Sequence, residues 1–291
     1  LLAGGGTAGH INPALAIASY LKERRQDVEI LYVGTKGGME ETLVPKAGYP
    51  FQGIHVKGFQ RKITPQNIIK NIKAAVFAVT SQMESKKILK EFTPDIVIGT
   101  GGYVSGPVLL TASKMGIKTA IHEQNAFPGI TTKLLAKRVD KVMLAVEKAK
   151  DYLDRKDNCT VVGNPIRQEI VFLKKDDCRK KLGIGDRMFI LSFGGSLGAQ
   201  PINKAVSRLM KWYGDRSDIL HIHGTGKAGY GEFLDMLKEL NVDEKTRGNI
   251  EIREYIDNMP ELLTACDLVI CRAGAVTLSE IEAAGRASIL I

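Results

Sequence analysis

The chain has 291 residues, of which 44% are hydrophobic and 25% are charged. This composition is typical of a globular protein and excludes a disordered chain, and the length suits two domains. The four cysteines show neither C-x-x-C nor zinc spacing, so reduced thiols are predicted, and no apolar run approaches the ~20 residues of a membrane-spanning helix. The net charge of +9 lies entirely in residues 1–166, since residues 167–291 are neutral overall.

Strand-like runs alternate with helical patterns throughout the chain. A first strand runs into a glycine loop, and an amphipathic helix is predicted at Asn12–Arg25. The further strands predicted are Val28–Val33, Asp95–Ile98, Lys118–His122, Lys141–Ala145, Met188–Phe193, Ile219–His223, Asn249–Arg253, Asp267–Cys271 and Ala287–Ile291. The further helices are Ser105–Met115, Ile202–Trp212, Gly231–Leu240 and Ala275–Ala284. This alternation indicates an α/β protein whose parallel sheets carry helices on both faces.

The segment Val161–Arg167 is predicted to separate two doubly wound domains, 1–166 and 167–291. Its Asn-Pro pair breaks regular structure, the preceding glycine suits a hinge, and the strand, glycine loop and helix pattern then starts again. Because the chain begins without methionine in one apparent strand and ends in another, we expect a fragment whose C-terminal part is missing.

Unusual loop sequences follow several predicted strands. These are Gly99–Tyr103, His122–Asn125 and Arg272–Ala275. In doubly wound sheets the ligand binds at the loops beyond the carboxyl ends of the strands. We therefore expect these loops to line one cleft.

The first glycine loop, Gly4–Gly9, predicts an anion-binding turn. Its glycines leave backbone N–H groups unobstructed at a helix N-terminus, and His10 adds a group that can move a proton near neutral pH. The loop also matches the dinucleotide pattern G-x-G-x-x-G, but the acidic residue expected after the next strand is replaced by Val33-Gly34-Thr35. A plain tight turn is the other alternative.

The second glycine loop, Gly194–Gly198, matches the G-x-S-x-G pattern of a hydrolase nucleophile elbow. Ser196 would then be a nucleophile, with an acid at Asp215 or Asp218 and a base at His221 or His223. Both histidines fall within a strand pattern, however, so phosphate contact by Ser196 and the loop amides is the favoured interpretation.

No metal site is predicted. The pair His221-x-His223 projects both rings to one face of a strand, and such a pair without a third ligand more often packs than binds metal. No Asp-x-Asp pair, the simplest carboxylate site for a metal bound to a nucleotide diphosphate, occurs in the sequence.

The stretch Arg272–Glu280 leaves two interpretations open. Its small residues allow close approach of a ligand, and Thr277 is placed to start a helix. Glu280, three residues later, fits a capping box. It equally fits a carboxylate that accepts two sugar hydroxyls beside a cleft.

Residues 57–90 form a basic segment, with eight Lys and Arg against Glu84 alone. Apolar residues recur within it near helical spacing, so we predict contact with an anionic membrane surface. A solvated helix with a core face and a nucleic-acid patch are the alternatives. With few aromatic residues and no nucleic-acid motif, no nucleic-acid partner is predicted.

Together these stretches resemble the MurG family, which transfers N-acetylglucosamine from UDP-N-acetylglucosamine to the lipid-linked muramyl-pentapeptide precursor of peptidoglycan. The motifs that carry the resemblance are Gly5–His10, Gly101–Pro107, His122–Asn125, Gly163–Arg167, Gly194–Ala199 and Arg272–Glu280. The pair Gly101–Pro107 and His122–Asn125 is its most specific part.

The resemblance implies a GT-B glycosyltransferase fold, in which two Rossmann-like domains face a cleft. It implies inversion at the anomeric carbon, no obligatory metal, no cofactor, and a peripheral location on the cytoplasmic side of a bacterial cell membrane. The partners implied are UDP-N-acetylglucosamine and undecaprenyl-linked lipid I, with lipid II as the product. Residues 1–166 would bind the acceptor and the membrane, and residues 167–291 the UDP-sugar.

The resemblance also implies site residues. Arg167, Ser196, Ile256 and Ala275–Glu280 would bind the nucleotide sugar, with Glu280 on the ribose hydroxyls; the stretch comprises Ala275, Val276, Thr277, Leu278, Ser279 and Glu280. Those that would reach the transferred sugar are Thr7, Ala8, Gly9 and Asn125. His10, as the general base, and Tyr103 would lie on the acceptor side.

The sequence departs from the family pattern at two places. Ala8 stands where the family more usually has glycine, and we expect the extra methyl to be tolerated. The family's glutamine-bearing sugar loop and closing C-terminal helix would lie beyond Ile291. The alternatives left open are another GT-B transferase, a UDP-sugar epimerase and a non-catalytic nucleotide-sugar-binding scaffold.

Overall fold

The structure is a computed structural model of the 291-residue chain, and it describes residues 1–56, 80–243 and 248–291. The chain divides into two compact units, a first domain, Leu1–Pro165, and a second domain, Ile166–Ile291. This division falls one residue before the predicted limit at 166. Of the basic segment 57–90, residues 57–79 lie outside the described part of the chain.

The described part of the first domain contains one parallel sheet. Its strands are β1 (Leu2–Gly4), β2 (Tyr32–Thr35), β3 (Phe51–Ile54), β4 (Ile96–Gly101), β5 (Lys118–Glu123), β6 (Lys141–Leu144) and β7 (Cys159–Val161). They lie in the order β3-β2-β1-β4-β5-β6-β7, and every neighbouring pair is parallel. The strand order reverses at β1 and β4, so the loops after these strands diverge to opposite faces and leave room for a ligand.

The helices of this domain flank the sheet. They are α1 (Ala8–Arg24), α2 (Glu40–Lys46), α3 (residues 80–92), α4 (Gly102–Lys114) and α5 (Ile130–Leu135), with a 3₁₀ turn at Glu147–Tyr152. Buried apolar residues of α4 and of the strands, among them Val97, Leu109 and Ile121, form the larger core. A second core lies between α1 and β2, where Ile11 and Tyr32 are buried.

Several boundaries in this domain differ from the sequence prediction. Helix α4 begins at Gly102 rather than Ser105, and β4 is Ile96–Gly101 rather than Asp95–Ile98. Helix α1 begins at Ala8 rather than Asn12, because the chain turns into the helix directly from the glycine loop. Pro13 lies inside this helix. The strand predicted at Val28–Val33 is Tyr32–Thr35, and the edge strand Phe51–Ile54 was not predicted because half of its residues are exposed.

The second domain also contains a parallel sheet. Its described strands are β8 (Met188–Phe193), β9 (Ile219–Gly224), β10 (Ile250–Arg253), β11 (Leu268–Cys271) and β12 (Ala287–Leu290). They lie in the order β10-β9-β8-β11-β12. The helices are α6 (Gln168–Phe172), α7 (Lys175–Lys181), α8 (Gln200–Tyr213), α9 (Tyr230–Glu239), α10 (Met259–Ala265) and α11 (Ala275–Ala284), with a 3₁₀ turn at Lys227–Gly229.

The central strand β8 explains why this sheet carries helices on both faces. Phe189 and Leu191 pack into the core on one face, whereas Ile190 packs into the core on the other. A strand buried on both faces has a nearly continuous apolar sequence, which is what the sequence shows here. The predicted bounds of β8 and α11 agree with the structure.

Candidate functional site

A pocket of about 900 Å³ opens in the first domain beside the loops that follow β1, β4 and β5. Its polar lining includes Thr7, His10, Gly102, Tyr103, Glu123, Asn125 and Arg138. Its apolar lining includes Val56, Pro107, Leu110, Phe127, Ile130 and Leu134. Four residues predicted for the site, Thr7, His10, Tyr103 and Asn125, are therefore brought together, while Ala8 and Gly9 lie on the adjoining first turn of α1.

A buried carboxylate, Glu40, lies beneath the first glycine loop. It has no exposed surface, and its two oxygens accept hydrogen bonds from the backbone N–H groups of Gly6, at 3.1 Å, and Thr35, at 2.7 Å. A Cβ at Gly5 would collide with this carboxylate and displace it from its two backbone donors. One amide of the predicted anion-binding loop is therefore already bonded to the protein.

Sequence reasoning missed Glu40. The acidic residue that a dinucleotide site needs is absent from the end of β2, but Glu40 follows five residues later in the first turn of α2 and turns back towards the loop. An acidic residue just after Gly37-Gly38, at the start of a short helix, was the available signal.

His10 is oriented by Thr100 of β4 and by Gln124, the residue that follows β5. Its Nδ1 lies 3.1 Å from the carbonyl oxygen of Thr100 and 3.1 Å from Oε1 of Gln124. The hydroxyl of Thr100 also donates to the carbonyl oxygen of His10, at 2.6 Å. The ring is partly exposed and lines the pocket, so its other nitrogen, Nε2, is the one left to contact a ligand.

The start of α4 packs closely against the first glycine loop. Gly102 has a φ of 77°, and a Cβ there would collide with the carbonyl oxygen of Gly5. The Ser105 hydroxyl shares its one hydrogen between the carbonyl oxygens of Ala3, at 2.8 Å, and Gly101, at 2.7 Å, and accepts from the N–H of Gly101 at 3.1 Å. It so joins β1, β4 and α4. Tyr103 is 62% exposed at the pocket.

A second buried carboxylate, Glu123, holds the loop that follows β5. It accepts hydrogen bonds from the backbone N–H and side-chain amide of Asn125, from the N–H of Gly129 and from the hydroxyl of Thr132. The predicted ligand residue Asn125 is thereby fixed with its own side chain exposed.

In the second domain, the loop containing Ser196 lies between β8 and α8. Gly198 has a φ of 78° and packs so closely on Thr225 that a Cβ would collide with the Thr225 carbonyl oxygen. The two candidate bases, His221 and His223, bond to Ser192 rather than to Ser196. The serine-hydrolase alternative therefore finds no support in the described residues.

The two histidines belong to a buried chain of hydrogen bonds. Ser192 Oγ lies 2.7 Å from His221 Nε2 and 2.7 Å from His223 Nδ1, and Tyr213 OH lies 3.0 Å from His221 Nδ1. His223 Nε2 lies 3.2 Å from Asn203 Oδ1, whose amide nitrogen donates to the carbonyl oxygen of Thr225 at 3.1 Å. Asn203 Oδ1 accepts, so the links between these side chains run in one direction, with each neutral imidazole donating from Nε2. His223 Nδ1, which accepts from Ser192 Oγ, also lies 3.2 Å from the carbonyl oxygen of Ser192.

These hydrogen bonds decide whether the His221-x-His223 pair packs or binds a metal ion. Burial lowers the pKa of His221 to about 3 and that of His223 to about 4, so both rings are neutral at pH 7. Both rings use both nitrogens within the protein. Among the described residues, no group of three or more His, Cys, Asp and Glu could hold a metal ion.

Arg167 and Glu280 form a two-pronged ion pair within the second domain. Arg167 Nε lies 2.9 Å from Glu280 Oε1, and its Nη2 lies 3.0 Å from Oε2. The glutamate side chain is 6% exposed and the arginine 24%. Such a fork fixes the orientation of the carboxylate as well as its charge.

The ion pair resolves one of the open interpretations. Helix α11 begins at Ala275 with Gly274 as its N-cap, so Thr277 lies inside the first turn and does not start the helix. The capping-box interpretation of Glu280 is therefore wrong, because its carboxylate is turned to Arg167.

The remaining predicted residues of the second domain differ in exposure. Ile256 is 6% exposed and its side chain packs in the core next to Gly224. On α11, Val276 is buried, whereas Ala275, Thr277 and Ser279 are half-buried and Leu278 is 37% exposed. A ligand at Ile256 would thus meet its backbone rather than its side chain.

Comparisons with known proteins agree with this geometry. A family model described as the glycosyltransferase family 28 N-terminal domain matches residues 1–144, and one described as its C-terminal domain matches residues 189–291. A protein of Desulforamulus reducens is 47% identical over the whole chain, which covers 77% of that protein. The chain belongs to the MurG family of glycosyltransferase family 28.

The family is supported by further relatives. The D. reducens protein is named UDP-N-acetylglucosamine–N-acetylmuramyl-(pentapeptide) pyrophosphoryl-undecaprenol N-acetylglucosamine transferase, and a Bacillus cereus protein with this name is 42% identical, with the chain covering 78% of it. A crystal structure of Acinetobacter baumannii MurG matches with a TM-score of 0.65 and 27% identity, over all of this chain and 78% of that one.

These findings confirm the predicted GT-B fold and the prediction that the protein is a glycosyltransferase. A structure described as a UDP-N-acetylglucosamine 2-epimerase of Listeria monocytogenes matches with a TM-score of 0.67 but 16% identity, over 99% of this chain and 77% of that one. That likeness shows a shared fold and nothing about activity.

The buried histidines predict that acid destabilises the second domain. Their pKa values in the folded protein lie below the ordinary value of about 6.5, so the unfolded state binds more protons as the pH falls from 7 towards 4. The free energy of unfolding then falls by up to about 1.4 kcal/mol per pH unit for each histidine. Amide hydrogen exchange in β8 and β9, measured between pH 7 and 5, checks this.

In the variant His223→Gln, the free energy of unfolding of the second domain is expected to depend on pH about half as strongly. The control His55→Gln, in the first domain, should leave this pH dependence unchanged. Protection in β8 and β9 that does not vary with pH would contradict the prediction.

The Arg167–Glu280 pair predicts a second stability effect. Arg167→Met leaves a buried carboxylate without its partner and is expected to lower the free energy of unfolding by about 3 kcal/mol. The double variant Arg167→Met/Glu280→Leu should recover most of this loss, because it removes the charge as well. Urea unfolding followed by circular dichroism provides the measurement.

The matched control is Arg216→Met, which breaks an exposed Arg–Asp pair in the same domain. It is expected to change stability by no more than about 0.5 kcal/mol. If the double variant is less stable than Arg167→Met, the buried charge is not the cause.

Proposed function

We propose that the protein transfers N-acetylglucosamine from UDP-N-acetylglucosamine to the 4-hydroxyl of the muramyl sugar of undecaprenyl-linked lipid I, giving lipid II for peptidoglycan synthesis. The observation that carries the proposal is the pocket of the first domain, which combines a partly exposed histidine with glycine loops and a large apolar wall. The names of the relatives over the full chain supply the substrates.

The first domain is proposed to bind the acceptor. Helices α1 and α4 both begin at the pocket, and neither has an acidic residue in its first turn nor a side-chain cap. Their free N–H groups and positive dipole ends favour the diphosphate of the acceptor. Because Glu40 holds the amide of Gly6, the diphosphate is expected to bind to the first-turn amides, around Thr7 and Ala8, rather than to Gly6.

The second domain is proposed to bind the UDP-sugar. Glu280, held by Arg167, would accept the two ribose hydroxyls with the oxygen lone pairs that the arginine leaves free. Ser196 and the amides of its loop would contact the diphosphate, and the backbone at Ile256 would contact the uracil. The first turn of α11, Ala275–Ser279, would lie against the nucleotide. Thr7, Ala8, Gly9 and Asn125 of the first domain would contact the transferred sugar.

The proposed chemistry is a single displacement with inversion. The acceptor hydroxyl attacks C1 of N-acetylglucosamine while the bond from C1 to the diphosphate oxygen breaks, and UDP leaves with the bonding electrons. His10 Nε2 takes the hydroxyl proton, and Tyr103 lies beside the acceptor. Loop amides and Ser196 stabilise the charge that develops on the leaving diphosphate.

The general-base role predicts that His10→Ala collapses turnover. General-base catalysis contributes about 10² to 10⁴ in rate, so kcat should fall by at least about 100-fold with little change in UDP-sugar affinity. Transfer of radiolabelled sugar to a lipid-linked muramyl acceptor by the protein, together with calorimetric binding of UDP-N-acetylglucosamine, measures both quantities.

The matched control is His55→Ala, which removes an exposed histidine of the same domain that pairs with Glu84. Near-normal turnover of His10→Ala would remove His10 from the base role. Lack of transfer by the unaltered protein would instead favour a non-catalytic nucleotide-sugar-binding scaffold.

We further propose that residues 57–90 attach the first domain peripherally to an anionic membrane surface on the cytoplasmic side. The positive charge of the chain is concentrated in this domain, and the described helix α3 carries Lys86, Lys87 and Lys90. Within residues 1–56, 80–243 and 248–291, no helix combines the length and apolar character needed to cross a bilayer.

Membrane attachment predicts co-sedimentation with vesicles that contain anionic lipid. Binding should weaken as salt is raised, because each basic residue near the surface contributes about 1 kcal/mol. Lys62→Glu, Lys70→Glu and Lys73→Glu together should abolish it, whereas the matched triple change at Lys180, Lys204 and Lys211 of the second domain should not. Vesicle binding that changes with neither the anionic lipid content nor the salt concentration would contradict the electrostatic proposal.

A further inference from the structure

Three side chains, His10, Gln124 and His122, form a chain of hydrogen bonds that runs from the pocket to Gly163. The links are His10 Nδ1 to Gln124 Oε1 at 3.1 Å, Gln124 Nε2 to His122 Nδ1 at 3.0 Å, and His122 Nε2 to the carbonyl oxygen of Gly163 at 2.9 Å. Gln124 and His122 are 3% and 1% exposed, so water does not replace these partners. The proposed chemistry uses His10 alone and leaves the other two without a role.

The direction of the chain is set at its far end. A carbonyl oxygen only accepts, so His122 must donate to Gly163 from Nε2. Burial lowers the pKa of His122, which keeps this ring neutral, and its Nδ1 therefore carries a lone pair. That lone pair accepts a hydrogen from the amide of Gln124.

The surroundings of Gln124 lead independently to the same orientation. Its Nε2 also faces the carbonyl oxygens of Thr100, at 2.9 Å, and His122, at 3.1 Å. With acceptors on all sides, this atom must be the amide nitrogen. The oxygen Oε1 is therefore the atom turned to His10.

The consequence for His10 is a defined tautomer. Its Nδ1 faces two oxygens that accept, Gln124 Oε1 and the Thr100 carbonyl, so the neutral ring carries its hydrogen on Nδ1. The lone pair then lies on Nε2, because the hydrogen bond of one ring nitrogen determines the state of the other. With the opposite tautomer, Nε2 would present an N–H and would be unable to take a proton.

We infer that Gln124 and His122 are positioning residues that hold His10 in the Nδ1–H tautomer, with the lone pair of Nε2 available in the pocket. The tautomer stands on the hydrogen bonds alone. That Nε2 takes the acceptor's proton rests on the proposed function. The two claims are therefore tested by separate measurements.

The tautomer is tested by long-range ¹H–¹⁵N NMR of the histidine rings in the protein, with His10 assigned from the signals missing in His10→Gln. The chain has five histidines, so the spectrum is simple. We expect His10 to show a protonated Nδ1 and an unprotonated Nε2. In Gln124→Met and in His122→Leu, we expect a mixture of tautomers or a shift towards Nε2–H.

The matched control is Asn158→Leu. Asn158 is another buried amide of the same domain, and it donates to the carbonyl oxygens of Ala136 and Val139. Its replacement costs stability in a similar way but should leave the His10 signals unchanged. A protonated Nε2 in the unaltered protein, or unchanged signals in Gln124→Met, would overturn the inference.

Kinetics separate positioning from a merely structural role. Gln124→Met should lower kcat by about 10- to 100-fold, a part of the general-base contribution, with KM for UDP-N-acetylglucosamine within about twofold. Gln124→Glu keeps an acceptor for His10 but loses the amide donors. If Gln124 has only a structural role, the buried carboxylate of Gln124→Glu should lower kcat more than Gln124→Met does. If Gln124 positions His10, Gln124→Glu should have the higher kcat of the two.

The pH profile provides a further readout. A carboxylate beside Nδ1–H stabilises the imidazolium, so the acidic limb of the kcat profile should move to higher pH in Gln124→Glu. The other titratable groups around the site are Tyr103, Glu123 and Arg138 in the pocket, His122 behind Gln124 and Glu40 beneath the loop, and all are the same in Gln124→Glu and Gln124→Met. If kcat of Gln124→Glu is lower than kcat of Gln124→Met at every pH, the positioning role is overturned. If His10 shows the Nδ1–H tautomer but His10→Ala remains active, only the general-base role is overturned.

Discussion

The close approach of two loops at Gly5 and Gly102 underlies the arrangement of the first domain. These loops follow β1 and β4, the two strands at which the order of the sheet reverses. Neither position has room for a Cβ, since Gly5 lies on Glu40 and Gly102 lies on the Gly5 carbonyl. Because the backbones touch, two helices begin at one pocket, and His10 reaches Thr100 on β4 and Gln124 just after β5. A side chain at Gly102 would push the two loops apart, and one at Gly5 would displace the Glu40 carboxylate that bonds the first loop.

Buried carboxylates hold the loops in both domains, and each does so by accepting hydrogen bonds. Glu40 and Glu123 fix loops of the first domain through backbone N–H groups, and Glu280 is fixed by the fork of Arg167. A buried charge is costly unless it is fully bonded, so each carboxylate enforces one arrangement of its partners. Rigid loops of this kind are what a site needs if it is to present N–H groups and a base without prior rearrangement.

Most of the fold and several loops of the candidate site could be predicted from the sequence. The buried strands of a parallel sheet are apolar runs, and the loops after them contain the glycine, histidine and other polar residues of the site. Met188–Phe193 and Ala275–Ala284 were predicted with their observed bounds. The edge strand Phe51–Ile54 was not, since exposed strands lack that signal. Glu40, and the pairing of Arg167 with Glu280 over 113 positions of sequence, depend on contacts that no local pattern records. The role of Gln124 could not be predicted either, because it rests on which atom of an amide faces which neighbour.

The buried chain from Tyr213 through His221, Ser192 and His223 to Asn203 has a consequence for how the second domain can vary. Its hydrogen bonds all run one way, and reversing any link leaves two donors or two lone pairs facing each other. We therefore expect the five side chains to vary together: a substitution at one of them needs a compensating change at its neighbours or a water in its place. Chimeras that join β8 of one family member to β9 of another would break this unit even where every individual residue is acceptable in its own parent.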